Sequence, residues 1–526
     1  MTEISPEDEA AAAGPTASRD EMGRRHLRGS SLLLAGRLMS MVFTVATQVV
    51  VVRVLTKSDF GGFALALTIA SASRFLLSLG QGKTLSRFLA IYVEERDYGR
   101  LFGSVLVAVG TVLVTGTVLI SALFLFRDSL LGSVLDDSSA LTVLLIVVFL
   151  APMEALDQLF VAIFAVFTRP RSIFFRKYLF TPCLRLAVVL AVALTGGGVV
   201  LLAVGYVAAQ VVGLLVYVTM LRKVMADQGL LGTISWRSLS WPVGNVFSFA
   251  LPMLSTELVY LSMNTGSVLL LSYYGSTADV ADLRAVFPAA GLNKIVYATF
   301  LTLYLPMASR LFARGDHAGL RDDYWRTAAF LAVASFPLYV MTGPFAPATT
   351  VFLFGDRYAG SGAVLALLAT GYYVNSALGF NLVTLQAYGK VRLLLFVNVA
   401  CAVLNLALSL ALTPRYGALG VASANCATMV VQNLGFQLGV ARTMGSALID
   451  RRYVRTYLSL AVTTGLLWAV QWAWSPQLWL ALVVGAVATL VLVIVNRPAL
   501  ALADSFPELG KVPVLRWVTG AGRKVS

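Results

Sequence analysis

The sequence predicts an all-α, polytopic helical membrane protein, and three observations support this fold class. The 526 residues are 58% hydrophobic and only 13% charged, a composition far from that of soluble domains. Long apolar stretches follow one another from Ser31 to Asn496. The connectors between them are short, and their basic residues fall mostly on alternate sides. Since a bilayer satisfies the backbone only in helices and closed barrels, we interpret the stretches as spanning helices.

About fourteen stretches have the length that a spanning helix needs. A helix rises about 1.5 Å per residue and the hydrocarbon core is about 30 Å thick, so roughly twenty residues suffice. The segment 344–359 is apolar but broken by prolines, and we expect a short interfacial piece there. The predicted spans are 31–52, 60–80, 103–126, 140–166, 178–195, 199–221, 246–273, 285–308, 327–343, 360–385, 393–412, 418–440, 456–474 and 477–496.

Lysine and arginine are distributed unequally between the two sides of the predicted bundle. The side that holds both tails carries 30 of the 40 residues, the opposite connectors carry six, and four lie inside spans. By the positive-inside rule we expect a multi-pass protein of the cell (inner) membrane with both termini cytoplasmic. The net charge of +14 follows from this topology, so nucleic-acid binding is not expected. The six opposite residues are Arg53, Lys57, Arg127, Arg284, Arg357 and Arg415.

Three pairs of similar segments indicate an internal repeat with a nearly constant offset. The offsets are 218 for the segments beginning at residues 51 and 269, 228 for those at 124 and 352, and 219 for those at 197 and 416. Two repeats of six helices would form two pseudo-symmetric lobes, an arrangement known from transporters. Chance similarity among helices rich in alanine, valine and leucine is the alternative.

The repeat defines the expected domains. They are a disordered cytoplasmic tail (1–30), an N-lobe with spans 1–6 (31–221), a cytoplasmic linker (222–245), a C-lobe with spans 7–12 (246–440), a C-terminal helix pair (456–496) and a second cytoplasmic tail (497–526).

Seven ionisable residues lie inside the predicted spans, where a central charge costs about 2.5–3.5 kcal/mol and needs a partner, a water-filled cavity or an interface. They are Arg37, Arg74, Glu154, Asp157, Arg185, Glu257 and Lys294. Four of them belong to spans 1, 2, 7 and 8, the equivalent first hairpins of the two lobes, and three of these four are cations. A cleft between these hairpins would be net positive and would suit an anionic ligand such as a pyrophosphate.

The depth of each residue in its span indicates a role. Arg37 and Arg74 lie near the cytoplasmic ends of their spans, so they either face the cleft or extend to the interface. Glu257 and Lys294 lie near the midplane of one hairpin, where they either pair with each other or face a common cavity.

The remaining three charges belong to spans 4 and 5. Asp157 and Arg185 have similar depths on these neighbouring spans and are predicted to form a structural ion pair. Glu154 would then be unpaired. It is a candidate for a proton-carrying, ion-coupling group, as is Glu257.

Neither a metal site, a cofactor nor an enzymatic activity is expected. His26 and His317 both fall in connectors, and Cys183, Cys401 and Cys426 have no metal-like or disulfide-like spacing. The sequence has no GxxxxGK[ST] motif for nucleotide phosphates. Its outer connectors are too short for the catalytic loop of a membrane polymerase or glycosyltransferase.

Four segments carry a resemblance to a known family. They are VRVLTKSDFGGFALALTIASASRFLLSLGQGKTLSRFLA (52–90), LRAVFPAAGLNKIVYATFLTLYLPMASRLFARGD (283–316), VFLFGDRYAGSGAVLALLA (351–369) and NLALSLALTPRYGALGVASA (405–424). The pattern resembles the Wzx-type O-antigen and exopolysaccharide flippases, a branch of the multidrug/oligosaccharidyl-lipid/polysaccharide (MOP) exporter superfamily.

The resemblance implies two lobes that alternate in access around a central cavity lined by spans 1, 2, 7 and 8. It implies a polyprenyl-pyrophosphate-linked oligosaccharide as cargo, moved from the cytoplasmic to the outer leaflet for polysaccharide assembly. Substrate-binding residues of the family map by span and depth onto Arg37, Arg74 and Lys294, with Glu257 beside them. Polysaccharide polymerase and chain-length proteins are the expected protein partners.

Other readings remain open from the sequence. The same superfamily includes lipid II flippases and cation-coupled multidrug exporters. The exporters commonly have an acidic residue in the first span, whereas span 1 here has Arg37 and no carboxylate, which favours an anionic cargo. A membrane scaffold would leave the charges inside the spans unexplained.

Overall fold

Helices make up the secondary structure of the described part of the chain, with no strand among them. The computed structural model describes residues 15–130, 138–167, 170–227, 229, 239–244, 247, 261 and 265–497. Eight helices in these ranges are long and apolar enough to cross a membrane, or up to ten if each of two bent helix pairs forms one span. The predicted all-α, polytopic class is confirmed, whereas the number of fourteen spans is not.

The first part of the chain contains eight helices and a π-helix. The α-helices are α1 (Pro15–Val54), α2 (Lys57–Leu77), α3 (Gln81–Glu94), α4 (Tyr98–Leu125), α5 (Ser138–Val147), α6 (Leu150–Val166), α7 (Thr181–Thr195) and α8 (Val199–Asp227). The π-helix, Phe174–Phe180, leads directly into α7. Single helical turns lie at Arg127–Leu130 and Pro170–Ile173.

The second part follows residue 265. Its helices are α9 (Ser267–Tyr274), α10 (Thr277–Gly291), α11 (Ile295–Ala313), α12 (His317–Thr342), α13 (Ala346–Phe354), α14 (Ser361–Ala377), α15 (Asn381–Ala387), α16 (Val391–Met444), α17 (Val454–Trp474) and α18 (Leu478–Val495). A 3₁₀ turn, Leu292–Lys294, joins α10 to α11. The axes of α12 and α13 are bent by 64°, and those of α14 and α15 by 40°.

The longest helix, α16, is a hairpin of two antiparallel halves. Its 54 residues would extend about 81 Å if straight, far more than a bilayer requires. Gly417 interrupts it with φ 54° and ψ −130°. Hydrogen bonds join the halves, among them Gln432 to Asn398 at 2.8 Å and Asn405 to Asn425 at 2.9 Å. Both pairs are centred on residue 415, as expected for a turn at Gly417.

The helices α2 and α10 begin with equivalent caps. The Thr56 side chain accepts a hydrogen bond from the Asp59 backbone at the start of α2. Ser276 does the same with Asp279 at the start of α10, where the two residues form a capping box. The two caps are 220 residues apart, close to the offsets of the sequence repeat.

The cap of α10 corrects one prediction about topology. Because this helix begins at Thr277, Arg284 lies about two turns inside it, roughly 10 Å from its start. The assignment of Arg284 to an outer connector was therefore wrong. Its cause was a predicted span that began at residue 285 and ignored the capping pattern of Ser276 and Asp279.

Replacing Gly417 by alanine is predicted to lower the stability of the protein by about 1–3 kcal/mol. The positive φ of Gly417 is disfavoured for residues with a Cβ, and an added Cβ would also lie 3.2 Å from Asp279 Oδ1. Thermal unfolding of the purified protein in detergent measures the effect. Gly465→Ala in α17 is the matched control, because nothing lies within 4 Å of a Cβ added there. Equal unfolding temperatures for the two variants would contradict the strained hairpin.

Candidate functional site

Polar contacts join the two halves of the bundle, helices α1–α8 and helices α9–α18, at one end. Lys57 Nζ lies 2.8 Å from Asp282 Oδ2, and the Ser361 hydroxyl donates to Asp282 Oδ1 at 2.6 Å. The hydroxyls of Ser58 and Thr277 are 2.9 Å apart. The contacts Lys57–Asp282 and Ser58–Thr277 cross between the halves where α1 ends and where α2 and α10 begin, and Ser361 at the start of α14 holds Asp282 in place. We call this region the closed end.

Close backbone packing and two arginines reinforce the closed end. A Cβ added to Gly61 would lie 1.8 Å from the Thr277 carbonyl oxygen, so only glycine permits this approach of α2 to α10. Arg53 donates to the Leu353 carbonyl at 2.9 Å, and Arg357 donates to the Val52 carbonyl. The two halves are therefore in direct contact at this end.

A cavity of about 400 Å³ lies between the halves behind the closed end. Side chains of α1, α2 and α10 line it, together with Tyr206, Leu261 and Thr265. It extends from Phe60, near the start of α2, to Phe75, which follows Arg74 in the sequence. Aromatic rings, hydroxyl groups and the Gln48 amide share its wall. Such a mixture of apolar and polar groups is typical of small-molecule sites.

Arg284 is the cation of the cavity wall and was missed as a site residue by the sequence analysis. In the described residues its guanidinium has neither a carboxylate partner nor a hydrogen bond, and it lies over the Phe287 ring at 5.0 Å. The Gln48 amide donates to its backbone carbonyl at 3.1 Å. An unpaired guanidinium at this place gives the cavity a positive charge.

A bridge of three charged side chains lies beyond Phe75. Glu154 on α6 contacts Arg74 on α2 through Oε2 at 3.3 Å and Arg185 on α7 through Oε1 at 3.2 Å. The side chains are 14%, 26% and 31% exposed, respectively. The expectation that Glu154 is unpaired was wrong. Its predicted part in ion coupling stays a prediction.

Asp157 pairs with Arg176, so the predicted Asp157–Arg185 pair was also wrong. Arg176 belongs to the π-helix, is 2% exposed, and donates both to Asp157 and to the Gly213 carbonyl at 3.1 Å. Its guanidinium also lies over the Tyr217 ring at 4.4 Å. Depth along a helix does not fix the direction of a side chain, and the wider π-helical turn brings Arg176 to Asp157.

Lys177, the next residue of the π-helix, extends the group of cations. Its side chain is exposed, and Arg37, Arg74, Arg176 and Asp157 lie in its neighbourhood. Arg37 is exposed as well. We call the five cations with Glu154 and Asp157 the cation cluster, whose net charge is +3. Its cations are Arg37, Arg74, Arg176, Lys177 and Arg185.

The cation cluster lies far from the closed end. Arg37 precedes Val54 by 17 residues and Arg74 follows Lys57 by 17 residues, so both lie about 25 Å from that end. The structure thus brings together Arg37, Arg74, Glu154 and Arg185, which the sequence analysis had singled out, and adds Arg176 and Lys177. A basic pair in the sequence, RK at 176–177, was the available signal.

Lys294 lies at a similar depth in the other half, 17 residues after Thr277. Its side chain is exposed, and Nζ lies 3.6 Å from the centre of the Tyr372 ring. A Cβ added to Gly291 would lie 3.8 Å from Met41 Cε, four residues after Arg37, so this part of α10 faces α1 near the cluster. Glu257 lies outside the described residues, and its pairing with Lys294 stays a prediction.

No group of three potential metal ligands occurs among the described histidine, cysteine, aspartate and glutamate residues. Cations, aromatic rings and hydrogen-bonding groups make up the site, and such groups bind anionic and polar ligands.

The apolar helices and the cavity between the two halves define a multi-pass membrane protein with a charged interior site. A family model described as polysaccharide biosynthesis protein matches residues 26–312, more than half of the chain. The protein belongs to this family. The comparison with curated proteins found no match.

Solved structures show the same fold at low sequence identity. The lipid II flippase MurJ in an inward closed conformation aligns with a TM-score of 0.68 and 12% identity over 91% of this chain and 99% of that chain. An inward-facing multidrug resistance transporter of the MATE family and MOP superfamily aligns with a TM-score of 0.61 and 16% identity. The alignment covers 77% of this chain and 95% of that chain. An outward-facing structure from the MATE family aligns with a TM-score of 0.51 and 16% identity over 80% of this chain and 96% of that chain. The chain therefore has the fold of MOP superfamily transporters.

A disulfide across the closed end is predicted to stop transport reversibly. Cysteines at Ser58 and Thr277, whose hydroxyls are 2.9 Å apart, should cross-link on oxidation once the three native cysteines are replaced by serine. Adding Gly61→Ala should reduce the cross-linking severalfold, because its Cβ would push α10 away. Gel mobility and an export assay before and after reduction measure both effects.

Gly110→Ala is the matched control, since nothing lies within 4 Å of a Cβ added there. Transport that continues in the fully cross-linked protein, or cross-linking unaffected by Gly61→Ala, would contradict a closed end that must open.

Proposed function

We propose that this protein is a flippase for a polyprenyl-pyrophosphate-linked oligosaccharide and moves it from the cytoplasmic to the outer leaflet of the cell membrane. It works by alternating access around the cavity between its two halves, and it performs no covalent chemistry. The observation that carries the proposal is the net positive cation cluster next to a cavity that is closed at one end. Membership in the polysaccharide biosynthesis family supports a carbohydrate cargo.

The cation cluster suits a pyrophosphate head group. A diphosphate carries several negative charges that lose hydration on leaving water, and guanidinium groups replace that hydration with paired hydrogen bonds. Arg37 and Lys177 are exposed and would meet the head group first. Arg74 and Lys294, at similar depth in opposite halves, would hold it between them. The prenyl chain can remain in the bilayer, so only the polar part crosses the protein.

Arg284 gives the head group a second cation on its way outward. It lies ten residues nearer to the closed end than Lys294 on the same helical path, a separation of about 15 Å. The cavity beside it has the rings of Phe60, Phe75 and Tyr206 and the amide of Gln48. Sugar rings pack on aromatic faces and bond to amides, so the oligosaccharide would occupy this space.

The distribution of basic residues supports an outward-facing closed end. The connectors with few lysines and arginines lie at this end, and the positive-inside rule assigns them to the outer side. Both termini are then cytoplasmic, and the cation cluster is reached from the cytoplasm. The TM-score to the inward-facing structure from the MATE family is 0.61, and that to the outward-facing structure is 0.51. This difference agrees with the proposed orientation.

A lipid II flippase and a cation-coupled multidrug exporter are the alternatives from the same superfamily. Lipid II also carries a pyrophosphate, so the cluster would serve that cargo too, and the flippase MurJ shares the fold. A multidrug exporter fits less well, because its cationic substrates would be repelled by Arg37, Arg74 and Lys177. The family match favours the polysaccharide cargo.

Arg74→Ala is predicted to reduce polysaccharide export at least tenfold, with the lipid-linked intermediate accumulating on the cytoplasmic leaflet. Loss of one charge-assisted phosphate contact is worth about 1.5–3 kcal/mol, which corresponds to a factor of about ten or more. Arg74→Lys should recover only part of the export, because lysine lacks the planar fork. Export and leaflet-specific labelling of the intermediate are the measurements.

Arg127→Ala is the matched control, since Arg127 is exposed and, among the described residues, pairs with Asp128 next to it. Export should remain near the wild-type level in this variant. Normal export by Arg74→Ala at wild-type protein levels would remove Arg74 from the substrate site.

A further inference from the structure

The position of Glu154 suggests a role other than stabilising the fold. Its two carboxylate oxygens are divided between Arg74 and Arg185, at 3.3 and 3.2 Å. Both distances exceed the 2.7–2.9 Å that is usual for strong charge-assisted bonds, so neither contact is optimal. By contrast, Arg176, the partner of Asp157, is only 2% exposed and also donates to the Gly213 carbonyl at 3.1 Å. Another anion can therefore replace Glu154 as the partner of one of its two arginines.

Arg74 has unused capacity for an anion. Its Nε is buried and has no hydrogen-bond partner in the described structure, and only Nη1 contacts Glu154. Its side chain remains 26% exposed, on the side of the protein where the exposed Arg37 and Lys177 lie. A phosphate group could therefore approach Arg74 and accept two parallel hydrogen bonds, as the guanidinium geometry favours.

We propose that Glu154 is an internal counter-ion that competes with the cargo for Arg74. An arriving pyrophosphate takes over Arg74, while Glu154 keeps its contact with Arg185. When the cargo leaves, Glu154 takes Arg74 back. Glu154 is a positioning residue that limits how tightly the head group binds and so allows its release. This inference rests on the proposed flippase function.

The exchange also affects α2, the helix that forms the closed end. Glu154 connects α2, through Arg74, to α6 and α7 of the same half, whereas Lys57 and Gly61 connect the other end of α2 to α10. Loss of the Arg74–Glu154 contact removes one restraint on α2. Cargo binding at one end of the helix is thereby linked to the contact between the halves at the other.

Glu154→Gln tests the role because it removes the competing charge and keeps the shape of the side chain. The purified full-length protein in detergent is titrated calorimetrically with inorganic pyrophosphate and, in parallel, with a short-chain prenyl pyrophosphate. We expect both to bind roughly tenfold more tightly to Glu154→Gln than to wild type, since one charged contact no longer competes. In proteoliposomes the KM and the kcat for the lipid-linked cargo should both fall, because release is slowed.

Two variants complete the design. Asp128→Asn removes one carboxylate at an exposed site and should leave both affinities unchanged. In the double variant Arg74→Ala with Glu154→Gln, the gain in affinity should disappear, because the arginine for which the two anions compete is absent.

The results separate this inference from the proposed function. If wild type binds no pyrophosphate, or if Arg74→Ala binds it as well as wild type, the head-group site itself is wrong and this inference with it. If Arg74→Ala alone loses binding but Glu154→Gln binds no more tightly than wild type, only the counter-ion role is overturned. A purely structural or proton-carrying Glu154 predicts this second result, with transport lost and no gain in affinity.

Discussion

A charge placed in the hydrocarbon of a bilayer must find a partner or face water, and the internal arrangement of this protein depends on that constraint. Asp157 and Arg176 satisfy it by pairing inside one half of the bundle. Arg74 and Arg185 satisfy it by sharing Glu154. Arg37, Lys177 and Lys294 are exposed and lie at the depth of the cluster. Five of these charges therefore meet the constraint through partners within the first half of the bundle. The polar interior that we propose between the halves accounts for the three exposed cations.

The helix α2 joins the two parts of this interior. Near its start, Gly61 lets the backbone of α10 approach closely, and Lys57 forms an ion pair with Asp282. Near its end, Arg74 belongs to the cation cluster. A helix is stiff along its axis, so a change at Arg74 can alter the packing at Gly61 about 20 Å away. Alternating access requires that binding of the substrate be linked to closure between the halves, and α2 would provide this link in the proposed function.

Hydropathy and charge counts sufficed to predict the helical class, because burial of charge is costly whatever the fold. They also singled out part of the cation cluster but not Arg176 and Lys177. The partners of Glu154 and Asp157 were not predictable in the same way. Spacing along a helix gives the depth of a side chain but not its direction after two helices have packed. The π-helix at residues 174–180 changes that direction further, and the periodicity of apolar residues does not predict a π-helix.

Arg284 was missed for a different reason. Its span was assigned from the first continuous run of apolar residues, whereas the helix begins at a polar cap, Ser276 with Asp279. Where a spanning helix faces a cavity, its polar cap and charged first turn belong to the helix. Hydropathy alone omits these residues and therefore predicts a helix that is too short. The start of α2 shows the same pattern, with Thr56 and Asp59 ahead of the apolar run.

The central claim is that a pyrophosphate is the group by which the protein recognises its cargo. Its most direct test is translocation in proteoliposomes of one fluorescent oligosaccharide on two carriers, a polyprenyl pyrophosphate and an uncharged polyprenyl ether. The account predicts that the purified protein moves the pyrophosphate-linked form between leaflets and leaves the ether-linked form where it is. Equal movement of both forms would contradict it, because the cation cluster would then contribute nothing to recognition.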